Sequence, residues 1–379
     1  MTNVHITLTE FRNESRLLKE VFSLEEEGLF DSFIVISLGS DDLERKEHLT
    51  ARARVERAFL FSRKLPKNSF FQVIKYFEFM AKCILVVKKE KTEVVNVHTL
   101  ALLPLGWLFK KLFKVKLVYD AHELETEKNG LHGVRQRISK RLEAIFIRYC
   151  DLVIVVGERI ADWYAETYKI DRPLVVKNAP KRRFLGKKNL FRERLGILPE
   201  QKIVLYQGGL SRGRGVQLIL DAFKVRPKND VVAVFMGYGD LADQVKEAAK
   251  SHTNIFYLPA VPPDVVLEYT ASADIGISLI ENTCLSYYYC LPNKLFEYSM
   301  AGLPVIVSAM KEMADAVKEF DFGVVLSEYS ISAVNEAIDH LADYDLSPYS
   351  RNAHQFAIAN AWEEQEKVML EGYRRMLKK

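Results

Sequence analysis

The chain has 379 residues, of which 49% are hydrophobic and 27% charged, with a formal net charge of +4. This is the composition of a soluble globular protein, and the length suits two domains of roughly 150–200 residues each. No run of about 18 uncharged apolar residues exists to span a membrane, and the N-terminus lacks the basic-then-apolar layout of a secretory signal.

In chain order, residues 11–16 (FRNESR) open the first helix, and apolar β-branched runs then alternate with amphipathic segments. The expected strands are 33–38, 94–97, 116–120, 152–156 and 174–177, then 202–207, 231–236, 255–257, 274–278, 304–307 and 324–326. Continuous apolar strands separated by helices predict parallel sheets covered on both faces. The pattern lapses at 178–189, a basic stretch with Pro and Gly that reads as the linker between two doubly wound domains. We therefore expect an α/β fold with a first domain over 1–183, a second over 184–360, and a final helix over 361–379. Cys83, Cys150, Cys284 and Cys290 are scattered, as suits buried thiols in a reducing cytoplasm. Basic residues cluster at 63–67, 110–116 and 181–188. The first two clusters, with Phe, Leu and Trp107 among them, read either as a solvated helix face or as a contact for an anionic membrane surface.

Open parallel sheets bind ligands beyond the carboxyl ends of their strands. In the first half, 118–123 (VYDAHE) ends a strand and sets Asp120, His122 and Glu123 at that edge. His98 ends the preceding strand. Such histidines are either structural or functional. In the second half, 207–215 (QGGLSRGRG) lies between a strand and a helix. Gly208 and Gly209 let backbone N–H groups approach an anion, and Arg212 and Arg214 supply forked donors, so the loop reads as a diphosphate cradle. Further on, 291–308 (LPNKLFEYSMAGLPVIVS) reads as a short helix ended by Gly302 and followed by a buried strand. Asn293 is expected to cap that helix, and Lys294 to reach a phosphate. Glu297 sits on an otherwise apolar surface, so it either pairs with an arginine or accepts the two hydroxyls of a ribose.

The 291–308 run closely resembles the nucleotide-sugar site of retaining glycosyltransferases of family four, whose GT-B fold faces two Rossmann-like domains across a cleft. The resemblance implies that Glu297 holds the donor ribose. It implies that Arg214-Gly215 is the cradle's usual Lys-Gly pair, that Gly239 belongs to a turn beside the donor, and that Val261 lies where backbone atoms read the base. Segment 118–123 is similar to the family's D-x-H-E, implying that His122 contacts the transferred sugar or the acceptor. Segment 11–16 is similar to a D-S-R-V start, which would bring Arg12 and Arg16 to an acceptor phosphate. The final helix would cross back to complete the first domain. Two departures stand out. Gly209 occupies the place of the first basic residue, for which Arg212 would substitute. Tyr289 occupies the place of a first glutamate, so that Tyr289, its neighbours Tyr287 or Tyr288, or the backbone amides near Leu291 would face the sugar.

The expected activity is a cytoplasmic, metal-independent hexosyltransferase with no cofactor, working with retention. Its donor is read as UDP-linked, and its acceptor as a glycan or polyprenyl-linked molecule in surface polysaccharide assembly. A peripheral membrane contact is expected, and a nucleic acid is not among the partners. The alternatives are a nucleotide-sugar epimerase and a non-catalytic nucleotide-sugar-binding subunit.

Overall fold

The computed structural model describes residues 1–12, 14–66, 68–226 and 229–378. Asn13 in the first-helix motif, Lys67 in the first basic cluster and Lys379 at the end of the final helix lie outside the described residues. The chain divides into two compact units, Met1–Val176 with Glu366–Lys379, and Lys177–Gln365.

The first unit is built on a sheet of eight strands: β1 (Thr2–Ile6), β2 (Ser32–Leu38), β3 (Lys46–His48), β4 (Ala53–Ala58), β5 (Val94–Val97), β6 (Lys116–Ala121), β7 (Leu152–Val155) and β8 (Leu174–Val175). Their order is β3-β4-β2-β1-β5-β6-β7-β8, and all pairs are parallel apart from the β3–β4 hairpin at one edge. Val4 at the centre pairs with Ile34 on one side and Val95 on the other. Three of these strands escape a reading based on apolar runs. In β1 the polar Asn3 and His5 interrupt the run, β4 alternates with charges, and β3 is an exposed edge. Only pairing with neighbours makes them strands.

The second unit holds β9 (Lys202–Gly209), β10 (Val231–Tyr238), β11 (Ile255–Pro259), β12 (Ile275–Ser278), β13 (Val305–Val307) and β14 (Gly323–Val325). All are parallel, in the order β11-β10-β9-β12-β13-β14. Successive residues of β9 serve opposite faces. Val204 and Tyr206 join one core cluster while Ile203 and Leu205 join the other, as a sheet covered on both sides requires.

The division falls after Val176, seven residues before the boundary read from composition, because 177–183 is bonded to the second unit. Gln365 accepts from the Lys177 backbone at 2.9 Å, and the Trp362 N–H donates to the Pro180 carbonyl at 2.9 Å. The helix Trp362–Lys378 joins the first unit with its later turns, where the Tyr373 hydroxyl donates to Asn96 on β5 at 2.6 Å. All four cysteines are free. Cys83 is buried and the other three are half-buried. No helix among the described residues is long and apolar enough to cross a membrane.

One packing detail ties the second sheet to its functional helix. Tyr298 lies flat over β12, and a Cβ on Gly276 would stand 2.5 Å from its ring. Its hydroxyl accepts from the Gln207 N–H at 3.1 Å and donates to the Leu205 carbonyl at 2.9 Å. Gly276→Ala is expected to cost about 2 kcal/mol through overpacking, read as a drop in the denaturant midpoint without a change in slope.

Candidate active site

In each unit the strand order reverses beside the first strand, between β1 and β5 and between β9 and β12. Loops diverge there, leaving a crevice at the carboxyl edge. The second unit places its glycine loop at this point. Gly208 (φ +111°) and Gly209 are exposed at the end of β9, and Gly215 (φ +79°) precedes the helix Val216–Val225. A side chain on Gly215 would strike the Leu279 carbonyl beyond β12, and the Glu281 N–H donates to the Gly213 carbonyl at 3.0 Å. Glycine is therefore needed at 215 both for its left-handed backbone and for this close approach. Gly239 (φ +149°) packs against the Leu210 backbone in the same way from the end of β10.

Three cations gather around this loop. Arg212 is exposed and Arg214 half-buried, and among the described residues neither has a carboxylate at ion-pair distance. The Arg214 guanidinium lies 4.7 Å from the Tyr287 ring, and the Lys294 ammonium lies 3.8 Å from the Tyr206 ring. Lys294 also borders Gly208, its Cε 3.7 Å from where a Cβ would stand. Burial, and then the neighbouring Arg214 charge, push the Lys294 ammonium down to about 7. Lys294 belongs to the helix Asn293–Met300, whose N-cap is Pro292 without a side-chain bond. Asn293 is thus its first residue, not the expected cap, because Pro292 already holds the extended conformation that a cap requires.

Glu297, one turn further, accepts from the Gln207 side-chain amide, whose oxygen in turn accepts from Thr270 at 2.8 Å. Neither of the two sequence readings of Glu297 included this amide. Gln207 had a visible signal, as a polar residue closing an apolar strand. Leu291 and Val261 are half-buried and pack on the same core cluster as Phe296. Tyr289 closes the short helix Leu285–Tyr288 with its ring 5.3 Å from Tyr288, while Tyr287 is the tyrosine that meets Arg214.

The first unit assembles a buried polar chain at the ends of β1, β5 and β6. Asp120 is 1% exposed and accepts from Arg16 through two bonds, Nε to Oδ2 at 2.9 Å and an outer nitrogen to Oδ1 at 2.7 Å. The His122 Nε2 is 2.9 Å from Asp120 Oδ2, the His98 Nδ1 is 3.2 Å from the same oxygen, and the His98 Nε2 is 2.9 Å from His5 Nδ1. Burial works against ionisation of Asp120, yet the Arg16 guanidinium and His122 hold its carboxyl well below the usual range. Burial keeps His98 and His5 lowered, hence neutral. Burial and the Asp120 charge raise Glu20, which lies against the same guanidinium at 2.9 Å, well above the usual carboxyl range. An ionised Asp120 can only accept, so the facing nitrogens of His122 and His98 carry protons and His98 Nε2 accepts from His5. His122 is about one-third exposed, so its ring reaches the surface of the unit.

Arg16 is therefore not available to an acceptor phosphate. It is 4% exposed and committed to Asp120, Glu20 and the Val176 carbonyl. Asp120 is buried beneath His122 as its partner. Arg12 is exposed but ion-paired with Glu10 and Asp42, and Glu123 meets Lys128 at 3.1 Å. His5 and Glu20 were missed in the sequence because β1 was not read as a strand and Glu20 looks like a helix-surface carboxylate. Two sets, His98–Asp120–His122 and His5–Glu20–His98, place ligand atoms within 4.8 Å of one another, as a metal requires. The carboxylates of both sets, Asp120 and Glu20, already face the Arg16 guanidinium, however, a poor setting for a divalent ion.

Residues 187–357 match the family model described as Glycosyl transferases group 1, and residues 30–179 match Glycosyltransferase Family 4. The chain belongs to this glycosyltransferase family. The glycosyltransferase is 24% identical over 304 residues to the D-inositol 3-phosphate glycosyltransferase of Geodermatophilus obscurus, a match spanning 74% of this chain and 66% of that protein. Its fold resembles that of sucrose-phosphate synthase from Thermosynechococcus elongatus (TM-score 0.83, 16% identity, 100% and 99% of the two chains). It also resembles Anabaena HepE solved with UDP and glucose (TM-score 0.71, 15% identity, 100% and 99%). The two parallel-sheet units of the glycosyltransferase are thus those of the GT-B fold.

If Arg16 serves only to compensate Asp120, then Arg16→Met strands a buried charge and is expected to lower stability by about 3–5 kcal/mol. Arg12→Met, on the exposed surface, should stay within about 0.5 kcal/mol of the parent. Chemical denaturation of both variants checks the contrast.

Proposed function

We propose that this glycosyltransferase moves a hexosyl group, with retention, from a UDP-linked donor to a glycan or lipid-linked acceptor in surface polysaccharide assembly. The observation that carries the reading is the set of cations at the glycine loop, Arg212, Arg214 and Lys294, with no carboxylate at ion-pair distance among the described residues. Such a set is electrostatically incomplete without an anion, and a diphosphate completes it. The fold likeness to HepE, solved with UDP and glucose, supports the choice of uridine and of a hexose.

In this reading the bond between the sugar's anomeric carbon and the leaving phosphate oxygen breaks, and the electron pair stays on that oxygen. Arg212, Arg214 and Lys294 stabilise the charge without a metal or a cofactor. The acceptor hydroxyl attacks the same face, and its proton passes to the departing phosphate. Glu297, oriented by Gln207, accepts from the ribose hydroxyls. Gly208, Gly209 and Gly239 keep the backbone close to the donor, Val261 lines the base, and Tyr289 and Leu291 lie toward the sugar. On the acceptor side His122 Nδ1 accepts from a sugar hydroxyl, with Asp120 and His98 holding its tautomer and Arg12 and Glu123 at the rim.

Arg214→Ala is expected to lower kcat by about a hundredfold or more, while Glu297→Gln raises the UDP dissociation constant about ten- to a hundredfold. Turnover assays and calorimetry check both, and a near-parental kcat in the first or unchanged UDP binding in the second overturns the assignment. Incubation with donor alone separates transfer from epimerisation.

Protonation of Lys294 supplies a further test. The free ammonium is pushed down to about 7, and a bound diphosphate favours its charged form and raises that value. Between about pH 7 and 9, UDP binding should therefore take up a proton and weaken as pH rises. Calorimetry in buffers of different ionisation enthalpy should show the uptake in the parent and none in Lys294→Met.

A further inference from the structure

The helices Ser69–Lys89, Leu103–Phe113 and Gly133–Phe146 of the first unit pack side by side. The first of them is apolar on two opposite faces. Phe79, Cys83 and Val87 are buried, while Phe70, Val73, Phe77 and Leu85 point to solvent, with exposures of 69%, 53%, 60% and 68%. The spacing of 70, 73, 77 and 85 makes this second face one continuous stripe. Phe61, 89% exposed, stands beside it under the Lys82 ammonium at 5.2 Å. On the third helix Val134, Ile138, Leu142 and Ile145 form a similar exposed stripe, and Leu112 is exposed on the helix between.

These apolar stripes are set among positive charge. The three helices carry four, two and four basic residues respectively, against two carboxylates, Glu78 and Glu143. Glu143 is buried and accepts from the hydroxyls of Tyr119, Tyr164 and Tyr168. Glu78 accepts from the backbone of Phe61 and Ser62. Glu78 also lies 3.9 Å from Lys82, and Lys89, Lys110 and Lys140 meet Glu90, Asp151 and Glu127, but among the described residues Arg135, Arg137 and Arg141 have no carboxylate partner. The layer thus exceeds the net charge of the whole chain. The clusters read from sequence contribute less. Arg63 is paired with Glu10, Lys110 and Lys116 share Asp151, and the cluster at 181–188 is largely paired, with Arg182, Arg183 and Lys187 meeting Glu364, Glu268 and Asp274.

We propose that this three-helix layer is a docking surface for an anionic phospholipid bilayer, with Phe61, Phe70, Phe77 and Leu85 entering the acyl boundary and the arginines of the third helix lying among the headgroups. Neither property alone selects that partner. Exposed aromatics by themselves fit many surfaces, and cations by themselves fit any polyanion, but aromatic and aliphatic stripes flanked by basic residues, three of them arginines without a carboxylate partner, match a surface that is anionic outside and apolar within. The inference stands apart from the transfer reaction, since it uses no residue of the glycine loop or the histidine chain.

Cosedimentation of the full chain with vesicles tests it. The parent should bind vesicles of phosphatidylglycerol and phosphatidylcholine, release at high salt, and bind vesicles of phosphatidylcholine alone at least tenfold more weakly. The triple variant Phe70→Ser, Phe77→Ser, Leu85→Ser and the triple variant Arg135→Glu, Arg137→Glu, Arg141→Glu should each lose about a hundredfold in partition. Both should keep parental UDP binding, which separates this result from any failure of the donor assignment. Absence of binding to the anionic vesicles, or binding that survives both triple variants, overturns the proposal. So does a lipid-independent dimer that the apolar variant dissolves while vesicle binding is absent, which would assign the face to a second copy.

Discussion

An ionised carboxylate shut away from water must have its charge answered, and in the first unit Asp120 meets that demand through Arg16. The clamp is bidentate and buried on both sides. It sets the state of what surrounds it. Asp120 stays ionised, so His122 and His98 must donate to it. Glu20 is pushed toward its neutral form, and His5 closes the chain as a neutral donor. Of the three histidines in this chain, His122 is the one that is partly exposed. The hydrogen-bonding state of the partly exposed His122 is thereby set by an internal charge balance among residues that never reach the surface.

The second unit solves the opposite problem. There Arg212, Arg214 and Lys294 have no carboxylate at ion-pair distance among the described residues, and Arg214 and Lys294 rest on the faces of Tyr287 and Tyr206. Aromatic faces hold a cation in place at little cost in directional hydrogen bonds, so the donors remain open for an anion. Gln207 donates its neutral side-chain amide to the Glu297 carboxylate, so this acid is oriented without an opposing charge at that bond. The two units share a sheet design and a switch point but differ in whether the charges at that point are already satisfied.

Much of this was legible in the amino-acid sequence. The apolar runs located eleven strands, and the family resemblance and the glycine loop pointed to Arg214, Lys294 and Glu297 as candidates. What escaped did so for physical reasons. The strand β1 carries Asn3 and His5 in a five-residue run, so nothing in its hydropathy distinguishes it, and with it went His5. Arg16, read as reaching an acceptor phosphate, and Glu20 lie one turn apart on the first helix, and only burial reveals them as a compensating cluster. Phe70 and Phe77 read equally well as core residues, because helical periodicity does not say which of two apolar faces is covered.

Apart from β1, β3 and β4, the sequence by itself determined the strands and the loops that end them, since apolar runs, glycine placement and helix-breaking prolines act over a few residues. It also determined the chemical inventory available at each strand end. Which charges are paired and which are left open was decided by tertiary structure alone. That outcome depends on distances between strands and helices far apart in the chain, and on how much water each group loses when they pack.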